Sequence, residues 1–176
     1  MNYKLWILII AWIEIIFVLI LGYLGFGFMS VVSNSMKHED EALFIQFWQE
    51  RGCDIDCLKN FPLSNGFQGG DLLIFKKTSN YEKGDIVPYR ANSKIIIHRL
   101  VDLNESQAFF QGDNIKKAPG SAMPAGSDMP REVIERRFTI GKIIFKIPKL
   151  GLIKALLNCW ANSCDISRCI SNGNCN

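Results

Sequence analysis

Residues 5–29 hold one charged side chain, Glu14, and are otherwise almost wholly apolar on every face. A helix of about 24 residues at 1.5 Å per residue is roughly 36 Å long, enough to cross a bilayer core of roughly 30 Å with some tilt. The run is longer than the apolar core of a cleaved signal peptide, and it ends in GYLGFGFM with no small-x-small site, so it predicts a retained single-pass anchor. A short strand is predicted at 29–32. From 38 to 51, Leu43, Phe44, Phe47 and Trp48 recur at helical spacing, with acids in the first turn and Arg51 in the last. That pattern predicts an amphipathic helix packed on the domain, or else one lying on the membrane surface. Beyond Pro62 the texture changes to short β-branched runs between Gly, Asn and Ser: GGDLLIFKK, GDIVPYR, SKIIIHRLVDL and AFFQGDN. A Pro/Gly/Ser-rich loop over 118–130 follows, then RFTIGKIIFKI as a strand pair or bent strand, and a return to helical spacing in LGLIKALLNCW. The prediction is a mostly β fold: one transmembrane helix (1–29), a β-sheet or partial-barrel domain with small helices (30–157, with an insert at 38–67), and a Cys-rich tail (158–176).

Composition narrows the function classes. Hydrophobic residues make up 48% of the 176 residues and charged ones 21%, which is globular. The net charge of +3 is small and the basic residues form no stripe with interleaved aromatics, which argues against nucleic acid. Lys4 before the apolar run leans the N-terminus toward the cytoplasm and the domain toward the outside, or the lumen in a eukaryote. Six cysteines, four of them (Cys159, Cys164, Cys169 and Cys175) near the C-terminus and two (Cys53 and Cys57) in the insert, fit an oxidising compartment. Disulfides are favoured over zinc, because the tail lacks CxxC knuckles and nearby histidine. Glu14 inside the apolar run has no partner legible in the sequence.

Chemistry concentrates elsewhere. Three Gly-Asp pairs recur, at 70–71, 84–85 and 112–113; the first two each open a strand and read as turn chemistry. The chain has two histidines, His38 and His98, and His98 lies at the polar end of a strand. A hairpin turning near 104–105 would set residue 98 opposite residue 111 and bring Asp113 to diagonal distance from His98. A serine needs a base to take its proton, and the base works better when a third group fixes its tautomer. Ser35, His98 and Asp113 are candidates for those roles. An unperturbed imidazole would lose function as pH falls through about 6.5.

Six blocks stand in a telling order: Ser33-Asn34-Ser35-Met36, Gly70-Asp71-Leu72-Leu73, Gly84-Asp85-Ile86-Val87, Ile96-Ile97-His98-Arg99, Gln111-Gly112-Asp113-Asn114 and Ile140-Gly141-Lys142. Together they resemble type I signal peptidases of the archaeal and endoplasmic-reticulum kind, over residues 31 to about 150. The resemblance implies a membrane-anchored serine endopeptidase that removes signal peptides from exported preproteins, working at the bilayer and in company with the export machinery. It implies Ser35 as nucleophile, His98 as general base, Asp113 as the acid supporting it, and Asp128 as a second, later acid. Ser33 matches the hydroxyl that helps the Ser35 amide hold the oxyanion, and Met36 a structural wall. It further implies cleavage after small residues, in shallow apolar pockets built from Val31, Val32 and the strand around Leu72, with neither metal nor organic cofactor.

The chain departs from that family at Asn34, where Gly is common, at Lys37-His38, where Glu-Pro is common, and in the long insert. His38, three residues from Ser35, is a rival base. Two other readings stay open: a related serine peptidase with a lysine base or a different substrate, and a non-catalytic, membrane-anchored β domain that binds a partner through its cysteine tail.

Overall fold

The computed structural model describes residues 3–115 and 132–151. Helix α1 (Tyr3–Tyr23) leads into β1 (Phe26–Ser30); α2 (Glu41–Gln49) and α3 (Ile55–Lys59) come next, then β2 (Leu72–Lys76), β3 (Ile86–Ala91), β4 (Lys94–Leu103), β5 (Gln107–Gln111), β6 (Glu132–Glu135), a single 3-10 turn (Arg136–Phe138) and β7 (Lys142–Ile147). The strands form two antiparallel sheets, β1-β2-β7 and β3-β4-β5-β6. They are joined where Thr139 bridges Tyr89 and the Ile140 amide donates to the Pro88 carbonyl. The fold is therefore an apolar helix leading into a mostly β domain with small helices.

Within α1, Leu5–Tyr23 has a mean hydropathy of 2.8 and is not buried among the described residues. By length and composition it is able to cross a membrane. The helix is shorter than the apolar run predicted. It stops at Tyr23 because Gly25 takes φ of +81°, and the apolar residues after it pair with β2, Phe28 opposite Ile74 and Met29 opposite Leu73. The expected anchor boundary at residue 29 thus falls inside β1, and the strand expected at 29–32 begins three residues earlier and ends at Ser30.

The insert builds its own core. Asp40 caps α2, its side chain accepting the Leu43 amide, and Asp54 caps α3 in the same way at Cys57. Leu43, Phe44, Phe47 and Trp48 all turn inward and pack with Leu58, Phe61, Val101 and Ile115, so the amphipathic face of α2 is used up inside the domain. Burying each such side chain contributes about 1.5–3 kcal/mol. A disulfide, Cys53–Cys57, ties the α2–α3 loop to α3. The four tail cysteines and the predicted helix after Leu150 lie outside the described residues. Val31, Met36, Phe67, Leu73, Ile86 and Ile143 form a second core between the sheets, and Tyr81, Val87, Tyr89, Leu100, Ala108 and Phe110 a third.

The β4–β5 hairpin decides which side of the sheet each candidate side chain occupies. Its turn runs from Asn104 to Gln107, with the Asn104 side chain accepting the Ser106 and Gln107 amides. The ladder then slips at Val101, between Leu100 and Asp102. As a result Arg99, not His98, stands opposite Gln111. A shift of one residue exchanges the two faces of a strand. It puts Asp113 on the Arg99 side of the sheet, and His98 on the side that carries Tyr89 and Phe110.

Candidate active site

The segment after β1 holds both serines. Ser33 Oγ and Ser35 Oγ lie 3.2 Å apart, with Ser33 exposed and Ser35 partly buried. Backbone contacts fix this segment on both sides. The Val31 amide and carbonyl pair with Asp71 and Gly70; the Ser35 carbonyl accepts the Asn114 amide at 2.8 Å; the Met36 carbonyl accepts the Phe67 amide at 3.0 Å. Met36 is fully buried beneath Ser35. Gly112 adjoins the same place: a Cβ there would stand 2.8 Å from the Ser35 carbonyl oxygen and 3.3 Å from His98 Nε2. The Ser35 carbonyl and the Nε2 edge of the His98 ring therefore both adjoin a glycine whose missing side chain leaves room for them. Residues 35 and 98, far apart in the chain, thus both adjoin Gly112.

The third group differs. Asp113 makes no bond to His98. Its carboxylate is gripped by Arg99, Nε at 2.9 Å and Nη2 at 2.6 Å, and takes a further bond from His38 Nε2 at 3.0 Å. Both Arg99 and Asp113 are buried, and Arg99 also donates to the carbonyls of Pro62 and Gly84. Burial alone would push the Asp113 carboxyl up; the Arg99 guanidinium, helped by His38, more than offsets it and holds the group below its usual range. The expected diagonal contact between Asp113 and His98 is thus replaced by a buried ion pair, because the hairpin register is one residue off the one predicted.

The partners of His98 are Glu132 and Tyr89. His98 Nδ1 lies 3.1 Å from Glu132 Oε2 and 3.1 Å from the Tyr89 hydroxyl, which itself donates to Glu132. Tyr89 is fully buried and stacked on Phe110, 4.4 Å between ring centroids. Glu132 opens β6 and pairs with Phe110, so the two outer strands of the four-stranded sheet, β3 with Tyr89 and β6 with Glu132, deliver both groups to the His98 face. Burial lowers the His98 pKa to about 4, with the Asp113 charge pulling weakly the other way. Burial raises the Glu132 carboxyl. Neither Glu132 nor Tyr89 stands out in the sequence. The available signal was an acid heading an alternating stretch, EVIE, just after the Pro/Gly/Ser-rich sequence 118–130. Asp128, the second acid expected from sequence, lies outside the described residues.

The remaining expectations divide. Val31 is buried against Met36 and Leu73, so it belongs to the core and does not line an open pocket; Val32 is exposed and Leu72 half-buried. Asp71 and Asp85 do what turn aspartates do, accepting the Gln68 and Glu82 amides. Among the described residues no cluster of His, Cys, Asp or Glu could hold a metal ion. No family model matches the chain, and no curated protein matches it.

The ion pair makes a stability prediction. Asp113→Asn should cost about 3–5 kcal/mol, because it strands a buried guanidinium. Urea unfolding of the protein in detergent micelles should show that loss as a lower midpoint, whereas an acid acting only on His98 would leave the midpoint in place.

Proposed function

We propose that this protein is a membrane-anchored serine endopeptidase of the signal-peptidase kind, held by one bilayer span with its β domain, a partly closed barrel, on the extracytoplasmic or lumenal side. The observation that carries the reading is the meeting of the Ser35 backbone with His98 Nε2 across Gly112, with a carboxylate on the far nitrogen of the same ring. With Nδ1–H directed to Glu132, Nε2 keeps its lone pair for the Ser35 hydroxyl. In the forward step Ser35 Oγ attacks the scissile carbonyl carbon and its proton passes to Nε2. The carbonyl oxygen takes the negative charge, with the Ser33 hydroxyl 3.2 Å from the attacking oxygen as a donor. The imidazolium then returns its proton to the leaving amine, and water hydrolyses the acyl-enzyme by the same route. Substrates would be preproteins cut after small residues, reached at the bilayer and supplied by the export machinery; these side chains need no metal or cofactor for the reaction.

The test is direct. Full-length protein in detergent should release a mature N-terminus from a preprotein at its small-x-small site, identified by mass spectrometry. Absence of cleavage across preproteins with varied signal peptides would sink the proposal.

A further inference from the structure

His38 lies at one of the places where the chain departs from the family it resembles, and the geometry gives it a task. Its Nε2 bonds Asp113 Oδ2 at 3.0 Å, and its side chain is only 9% exposed. The ring lies against Phe44 of α2, with centroids 4.1 Å apart and planes 32° apart. On another side it is closed off by Gly66, where a Cβ would come within 2.8 Å of His38 Cδ2. The acceptor is immobile too, since Arg99 holds the same carboxylate through Nε and Nη2.

The upstream end of the same turn is tied down by another departure, Asn34. Asn34 Oδ1 accepts the Gly69 amide at 2.9 Å, and its carbonyl accepts Asn114 Nδ2 at 3.1 Å. The turn is closed by the Lys37 amide donating to the Asn34 carbonyl. Ser35 therefore sits between two side-chain fastenings, one to the 66–71 segment and one to the Asp113-Asn114 segment that also carries Gly112.

We infer that His38 is a positioning residue for Ser35. Through Asp113 it locks the exit of the nucleophile turn to the segment that seats His98. The inference rests on Ser35 being the nucleophile. His38 is not the base, because its Nε2 is spent on a carboxylate already committed to Arg99 and its ring is packed between Phe44 and Gly66. A misplacement of about 1 Å at a reacting group can cost about 10²-fold in rate, so a fastening three residues away has leverage on kcat.

The experiment compares His38→Gln, His38→Asn and His38→Leu in the full chain. Glutamine can present its amide where Nε2 stands; asparagine is too short to reach Asp113. Preprotein cleavage should fall about 10- to 100-fold in kcat for the Leu and Asn variants, with KM nearly unchanged, and recover to within about 3-fold for Gln. Amide hydrogen exchange at residues 34–37 should speed up in the Leu and Asn variants and stay slow in Gln. Should the Leu variant fail to fold, the Gln and Asn variants decide between them. Equal behaviour of Gln and Asn overturns the inference, as do wild-type kcat and exchange in the Leu variant. So does complete loss of cleavage in Gln with exchange still slow, which would make His38 the base. If the wild type cuts no preprotein, the peptidase proposal falls, and the exchange data still decide whether His38 fastens the turn.

Discussion

Ser35→Ala is expected to abolish preprotein cleavage, by about 10⁶-fold in kcat, while the fold survives. The substitution deletes one oxygen. It leaves in place the backbone bonds that hold the turn, from the Asn114 amide to the Ser35 carbonyl and from the Phe67 amide to the Met36 carbonyl. Thermal unfolding should therefore match the wild type. Ser33→Ala is the informative companion. Its hydroxyl stands 3.2 Å from Ser35 Oγ and is exposed, so its loss should cost the value of one oxyanion donor, about 10²- to 10³-fold. A Ser33→Ala variant as dead as Ser35→Ala would mean the two hydroxyls have been assigned the wrong way round. A Ser35→Ala variant that still cuts would remove the nucleophile.

His98→Ala should fall by a similar factor, and the pH profile tells more than the loss itself. Only the neutral imidazole can accept the Ser35 proton. Burial places its pKa at about 4, so kcat/KM should hold from neutral pH down through 6.5 and fall with a midpoint near 4. An acid limb at 6.5 would describe a solvated ring and contradict the site. Glu132 can be tested in the same assay. Glu132→Gln removes the charge that stabilises the imidazolium and lets the ring adopt the wrong tautomer, a change that costs about 10⁴-fold where it has been made in a serine protease triad. An unchanged rate for Glu132→Gln would return the supporting role to another acid.

Much of the architecture could be read from patterning. The long apolar run, the helix carrying Phe44, Phe47 and Trp48, and the strands around Leu73, Val87, Leu100 and Phe110 announce themselves by period and composition. Boundaries and registers were harder. Residues 26–29 are as apolar as a membrane helix and equally able to form a strand; the glycine at position 25 and the waiting edge of β2 decide between the two. The approach of Ser35 and His98 to Gly112 depends on topology that brings the segment after β1 against the end of β5, which no local pattern encodes. The Asp113 contact failed on a single bulge at Val101. A slip of one residue is invisible to hydrophobic periodicity when both faces of a strand are buried, and here Arg99 and Leu100 are both fully buried. Glu132 was missed because β6 is only four residues long and follows a Pro/Gly/Ser-rich stretch of sequence whose pattern gives no hint of a strand to come.

Between α1 and β1 there are just two residues, Leu24 and Gly25. On the proposed reading, that joint leaves the enzyme no leash. β1 is the first strand of the sheet and its last residue, Ser30, is five positions before Ser35, so the reacting hydroxyl is built out from the end of the helix by a strand of fixed length. At about 3.3 Å per residue, the five residues of β1 account for about 17 Å. Such a protein works as a depth gauge. Among many bonds flanked by small residues in a translocating chain, the one that is cut is the one that halts at the height of the turn, and selection by altitude would narrow the choice further than shallow pockets could alone.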